Sequence, residues 1–77
     1  MLSNAEKTLL NANLSGFPMI SAASAAWKRC GKCGHANVNV NAALRLAATK
    51  YADDPAFVEA CRQLFPLPCI IGGVLIK

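Results

Sequence analysis

Acidic residues are few in this chain of 77 residues: four Asp and Glu side chains stand against eight Lys and Arg, which gives a formal net charge of +4. Charged residues of either sign make up only 16% of the chain, whereas hydrophobic residues make up 55%. Disordered segments have the opposite composition, so the sequence predicts a folded domain. The positive charge favours nucleic acid, an anionic membrane or an acidic protein as partner, without choosing among them.

Long apolar runs are also missing, since no stretch approaches the roughly 20 residues that a bilayer-spanning helix needs. A secretory signal is poorly matched, because Glu6, Asn11, Asn13 and Pro18 interrupt the N-terminal apolar region. The small residues 21–26 do have the composition of a cleavage context. We expect a cytoplasmic protein, in which thiols are reduced, bound to metal or catalytic.

The residue patterns of common enzyme sites are absent from the sequence. Asp53 and Asp54 precede a proline, which is typical of a helix cap rather than of a general acid–base pair. Gly72 and Gly73 alone do not make a phosphate-binding loop. We therefore predict no catalytic residues. The length predicts a single small domain over residues 1–77, with a thin core that a metal or a partner would help to complete.

Helix signals occupy the first half of the chain. Ser3 and Glu6 form the S-x-x-E pattern of a capping box, which predicts a first helix over residues 4–14. Pro18 is suited to the first turn of a second helix, and Gly31 is suited to end it. Apolar and alanine residues recur at helical spacing in both segments, as amphipathic helices require.

A polar segment separates these helices from the second half. Residues 35–41 alternate polar and apolar, which indicates either a short strand or a loop with a helix cap at Asn39 or Asn41. The helical period resumes at Ala42, and a fourth helix begins at the proline of an Asp-Asp-Pro triplet. Residues 69–77 are aliphatic around a Gly-Gly pair, the pattern of a tight β-turn. The sequence thus predicts a mainly α, compact single domain of about four short helices with a cysteine-containing turn and a short C-terminal β element.

A C-x2-C pair lies in the turn of residues 29–35. Cys30 and Cys33 would place two thiolates on one tight turn, which suits the tetrahedral shell of zinc. The turn resembles the first knuckle of zinc-ribbon proteins over about ten residues. The second knuckle of that family, another close C-x2-C, is absent, and the other thiols are separated by seven residues. We predict a structural zinc site, with His35 as an alternative to one thiol and with these four ligands: Cys30, Cys33, Cys61 and Cys69.

Two other interpretations of the cysteines remain open. The C-x-x-C after Trp27 is similar to the redox motif of thioredoxin-like proteins, which implies that Cys30 attacks and Cys33 resolves. Residues 67–74 resemble the proline-then-hairpin segment of that family, but a helical pattern precedes the motif where the family has a buried strand. In the remaining interpretation the cysteines are ordinary thiols, or Cys30 and Cys33 form a disulfide if the protein is exported, and Cys61 acts as a small hydrophobe on an apolar helix face.

Cations surround the same cysteine-containing turn. They would contact nucleic-acid phosphates, which position a protein without reading sequence. We predict a non-enzymatic binding or regulatory module that docks onto nucleic acid or a protein through these residues: Lys28, Arg29, Lys32 and His35. The rival prediction is a small inhibitor or modulator of a protein, acting through its apolar surface without metal. An exposed aliphatic tail would also favour a homodimer through Ile70, Ile71, Val74, Leu75 and Ile76.

Overall fold

The computed structural model describes residues 2–32 and 38–77, and within them four helices precede a two-stranded hairpin. The elements are α1 (Asn4–Asn11), α2 (Pro18–Arg29), α3 (Val38–Tyr51), α4 (Pro55–Leu64), β1 (Cys69–Ile71) and β2 (Val74–Ile76). This mainly α globule with a short C-terminal β element confirms the predicted fold class.

Local capping chemistry determines where the helices begin. The Ser3 hydroxyl accepts a hydrogen bond from the Glu6 N–H at 3.2 Å, and the Ser3 N–H donates to the Glu6 carboxylate at 3.3 Å. The Asp54 carboxylate accepts from the Ala56 N–H at 2.9 Å at the start of α4. Each interaction satisfies an amide that has no partner inside its helix, so the predicted capping box and Asp54 cap are confirmed.

Helix α1 ends at Asn11, so the prediction that it extends to residue 14 is wrong. Ala12 takes extended backbone angles (φ −75°, ψ 150°), and the chain leaves the helix there. The Leu14 carbonyl then accepts a hydrogen bond from the Phe17 N–H at 2.9 Å, which turns the chain toward α2. Leu14 still packs against the core, but it does so from this connecting segment.

Helix α3 begins at Val38, four residues earlier than predicted. The strand interpretation is therefore wrong for residues 38–41, and Asn39 and Asn41 lie inside the helix instead of capping it. Val40 is 1% exposed, and burial of its side chain in the core stabilises a helix that starts before Ala42. Residues 35–37 of the alternating segment lie outside the described part of the chain.

One hydrophobic core joins the helices and the hairpin, and α2 and α3 form its most extensive helix pair. The Phe17 ring lies edge-on to the rings of Tyr51 and Phe57, with centroids 5.0 and 5.4 Å apart. Edge-to-face pairs of this kind add to the energy of simple burial. Trp27 is 4% exposed, as predicted for a core residue, and its indole Nε1 has no hydrogen-bond partner within the described ranges.

The C-terminal strands form an antiparallel hairpin in which Ile71 pairs with Val74 and Ile70 with Leu75. Gly72 and Gly73 make a two-residue turn with φ of 59° and 83°, the geometry of a type I′ turn, which confirms the predicted tight turn. Successive side chains alternate between the two faces of the hairpin, so the inner and outer faces differ in burial.

The inner face of the hairpin carries most of the aliphatic tail. Ile71 and Ile76 are fully buried and Val74 is half-buried, whereas Ile70 and Leu75 are 60% and 50% exposed. The expectation that all five aliphatic side chains are exposed is therefore wrong, because the pleat of the hairpin turns one face into the core.

The turn of the hairpin lies directly on the backbone of α3. A Cβ atom on Gly72 would be 2.8 Å from the Arg45 Cα and 2.9 Å from the Arg45 nitrogen. No side chain fits at that distance, so glycine is required both for its positive φ and for this close approach.

Candidate nucleic-acid interface

Three exposed cations are gathered at the C-terminal end of α2, which we call the basic end: Lys28, Arg29 and Lys32. The Cys30 N–H donates to the Ala26 carbonyl at 3.1 Å and closes the last turn of the helix. Gly31 then takes a φ of 80°, and the Lys32 N–H turns back to the Trp27 carbonyl at 3.2 Å. This Gly31 stop confirms the predicted end of the helix and holds Lys32 close to the last turn.

Carboxylates lie at other places in the fold. Glu6 and Asp54 cap α1 and α4, and Glu59 pairs with Arg62, whose Nε lies 3.0 Å from the Glu59 Oε2. The hydrogen bond from the Arg62 guanidinium holds the pKa of the Glu59 carboxyl below its ordinary value. Within residues 2–32 and 38–77 this is the only ion pair closer than 4 Å.

The cations of the basic end are therefore not neutralised by neighbouring carboxylates, since every Asp and Glu of the chain lies in the described ranges. Positive charge that is exposed and unpaired attracts anionic partners over roughly a Debye length, about 8 Å at physiological ionic strength. His35, the fourth predicted partner-binding residue, lies outside the described part of the chain.

A polar groove of about 290 Å³ adjoins the basic end. It lies between α2 and segment 11–14, which comprises the last residue of α1 and the three residues after it. The Ser21 hydroxyl donates to the Leu14 carbonyl at 3.1 Å, and the Ser24 hydroxyl donates to the Leu10 carbonyl. These two bonds fasten the end of α1 and the segment after it onto α2, and Leu14, Ser21 and Ser24 line the groove. Lys28 belongs both to this groove and to the basic end.

The groove was not predicted from the sequence. Ser21, Ser24 and Lys28 recur at helical spacing on α2, so a polar stripe beside the apolar face was readable. That Asn11 and Asn13 lie opposite this stripe depends on the early end of α1, which the apolar pattern of the first helix does not reveal.

The predicted zinc ligands occupy different environments. Cys30 is exposed at the end of α2, Cys61 is fully buried on α4, and Cys69 is half-buried at the start of β1. Among the residues described, no three His, Cys, Asp or Glu side chains are grouped closely enough to hold a metal ion. Cys33 and His35 lie outside the described ranges, so the zinc site remains a prediction.

Burial explains the chemistry of Cys61. Its surroundings are the apolar core, and desolvation together with the nearby Cys69 raises the pKa of the Cys61 thiol to about 11. Cys61 therefore stays a neutral thiol at physiological pH and packs as a small hydrophobe, in line with the interpretation of the cysteines as ordinary thiols. Helix α2 runs directly into Cys30, so the chain has a helix where thioredoxin-like proteins have a strand.

Comparison with protein families, with curated proteins and with solved structures gave no match to this chain. None of the helices described reaches the length and apolarity needed to cross a bilayer; the longest, α3, has 14 residues.

Proposed function

We propose that this chain is a small, non-enzymatic binding module that docks onto the phosphate backbone of nucleic acid through the basic end of α2. The observation that carries the proposal is the grouping of Lys28, Arg29 and Lys32 at one helix end, exposed and without a carboxylate partner. Lysine and arginine side chains supply the phosphate contacts of proteins that bind nucleic acid without reading its sequence.

Counterion release gives the proposal a quantitative signature. Three phosphate contacts predict a slope of log affinity against log salt of about −3 on a duplex and about −2 on a single strand. The dependence on base sequence should be weak, because contacts to phosphates carry no sequence information.

Fluorescence anisotropy with a labelled oligonucleotide tests the proposal over a range of salt concentrations. The triple variant Lys28→Ala/Arg29→Ala/Lys32→Ala should lose most of the affinity and of the salt dependence. A matched control, Arg45→Ala/Lys50→Ala/Lys77→Ala, removes the same charge from exposed positions elsewhere. Equal losses in the two variants, or binding that is insensitive to salt, would show that the basic end is not the docking site.

Zinc would hold the turn that follows α2 in this proposal. Its support is the C-x2-C spacing of Cys30 and Cys33, since zinc binding by a short turn is itself folding free energy. Native mass spectrometry with and without a chelator should find one zinc per chain, which is lost in Cys30→Ser. A mass that shows four unmodified thiols and no bound metal would contradict the predicted zinc site.

A second candidate function is the modulation of a protein partner through the outer face of the hairpin. Ile70 and Leu75 form an exposed cross-strand pair on that face. Two side chains cover far less than the roughly 800 Å² per partner of a standard interface, so a partner or a second copy would need further contacts. Size-exclusion chromatography with light scattering of Ile70→Ser/Leu75→Ser tests whether a second copy of the chain is the partner. An oligomeric state unchanged from wild type would exclude a dimer through the outer face of the hairpin.

A further inference from the structure

The polar groove between segment 11–14 and α2 has the size of a small ligand site. Its volume of about 290 Å³ is close to the lower end of the range for small-molecule pockets, roughly 300 Å³. Asn11 and Asn13 lie on one side, and Ser21 and Lys28 lie on the other. All four residues are exposed, so a ligand can reach them from solvent.

The groove offers hydrogen-bond donors and one positive charge. The Lys28 ammonium has three N–H donors, and each asparagine amide has two. The Ser21 hydroxyl hydrogen is already given to the Leu14 carbonyl. Among the residues that the structure describes, which include every Asp and Glu, no carboxylate side chain lines the groove. Donors around one cation, without an anion to neutralise it, fit the oxygens of an anionic group.

Lys28 connects this groove to the basic end, because it lines the groove and stands one residue from Arg29. A phosphate chain that contacts the basic end through Lys28 therefore reaches the groove. We propose that the groove binds phosphate oxygens, with Lys28 supplying the charge and Asn11 and Asn13 donating hydrogen bonds. This inference rests on the proposed function for its source of phosphate, the nucleic-acid backbone.

The groove is tested on the full chain by removing the amides and keeping every charge. Asn11→Ala/Asn13→Ala should lower the affinity for a single-stranded oligonucleotide about a hundredfold, as expected for two hydrogen bonds to a charged group at the low end of their range. Asn4→Ala/Asn41→Ala is the matched control, because these asparagines are exposed and lie outside the groove. Circular dichroism and urea denaturation establish that each variant is folded under the binding conditions.

Nuclear magnetic resonance distinguishes binding of the nucleic-acid backbone in the groove from binding of free inorganic phosphate. The side-chain amide signals of Asn11 and Asn13 should shift when the oligonucleotide is added to labelled protein. Inorganic phosphate, added separately, should shift the same signals if the groove takes phosphate on its own.

Each outcome has a distinct meaning. If the oligonucleotide binds through the basic end but the Asn11→Ala/Asn13→Ala variant binds as tightly as wild type, the groove proposal is overturned and the proposed function stands. If the oligonucleotide does not bind but inorganic phosphate shifts both amides, the groove holds a small phosphate and the proposed function fails. If neither ligand shifts the amides, the groove is not a phosphate site.

Discussion

Replacing Gly72 by alanine would push a methyl group into the backbone of α3. The added Cβ would stand 2.8 Å from the Arg45 Cα, a separation that real Cβ atoms essentially never show. Gly73, the other glycine of the turn, also has a positive φ, but a Cβ there would meet no atom of the described residues within 4 Å. Comparing Gly72→Ala with Gly73→Ala therefore separates two losses of folding free energy, one from the backbone conformation and one from the close approach to α3.

The magnitudes follow from these two effects. An alanine in the left-handed region costs roughly 1–2 kcal/mol, which applies at both positions. Overpacking adds roughly 1–3 kcal/mol at Gly72 alone, because the atoms in the way belong to a helix backbone and cannot rotate aside. We expect losses of about 2–5 kcal/mol for Gly72→Ala and about 1–2 kcal/mol for Gly73→Ala. A 77-residue domain has a total stability of about 4–12 kcal/mol, so the first loss is a large part of it.

Equilibrium denaturation in urea, followed by far-ultraviolet circular dichroism, measures both losses on one scale. The midpoint for Gly72→Ala should lie well below that for Gly73→Ala, while the slopes of the two transitions stay similar. Equal midpoints would mean that the turn of the hairpin does not rest on Arg45, and the reasoning about close approach would then be refuted.

Three further predictions concern the core, a helix cap and a buried thiol. Phe57→Ala should lower the free energy of unfolding by about 3–5 kcal/mol, whereas Leu46→Ala, at a 59% exposed position, should change it by no more than about 0.5 kcal/mol. Asp54→Ala should cost about 1 kcal/mol by removing the N-cap bond of α4, and Asp53→Ala, its neighbour, should cost little; similar losses would contradict the cap. The pKa of the Cys61 thiol is about 11 in the folded chain against an ordinary 9.0, so between these values the unfolded chain loses the thiol proton and the folded chain retains it. The free energy of unfolding should therefore be unaffected by the thiol below about pH 9 and should fall as the pH rises toward 11. Denaturation across that range should show a shallower decline in Cys61→Ala, and equal declines would count against the raised pKa.

The starts of α1 and α4 and the end of α2 could be predicted because their causes are local. Ser3, Glu6 and Asp54 act within three residues of their own positions, and Gly31 stops α2 through its own backbone angles. Chemistry of that range is readable from a short window of sequence. The two-residue turn of the hairpin could be predicted for the same reason, because the adjacent Gly72 and Gly73 are enough to form it.

The bounds that the sequence predicts wrongly depend on contacts between distant residues. Burial of Val40 extends α3 backward through a segment whose alternating pattern also suits a strand. The contact of Gly72 with Arg45 joins residues that lie 27 positions apart, and no local pattern encodes it. Tertiary packing of this kind routinely overrides local propensity.

The cysteines also show the difference between local patterns, which the sequence reveals, and contacts between distant residues, which it does not. The C-x2-C spacing of Cys30 and Cys33 is local, whereas the participation of Cys61 in a common site depends on how distant segments pack. The structure places Cys61 in the core, on the apolar face of α4. The apolar character of that face was visible in the sequence, so the burial of Cys61 could be predicted from the helical spacing alone.

The buried indole of Trp27 gives this chain an optical reporter of its own. Trp27 is the only tryptophan, and its Nε1 lies in the core with no hydrogen-bond partner in the described part of the chain. Indole emission shifts to shorter wavelength in apolar surroundings and returns to longer wavelength in water. Unfolding should therefore move the emission maximum without any added dye. Because Trp27 precedes Lys28 directly, the same fluorescence can report on events at the basic end.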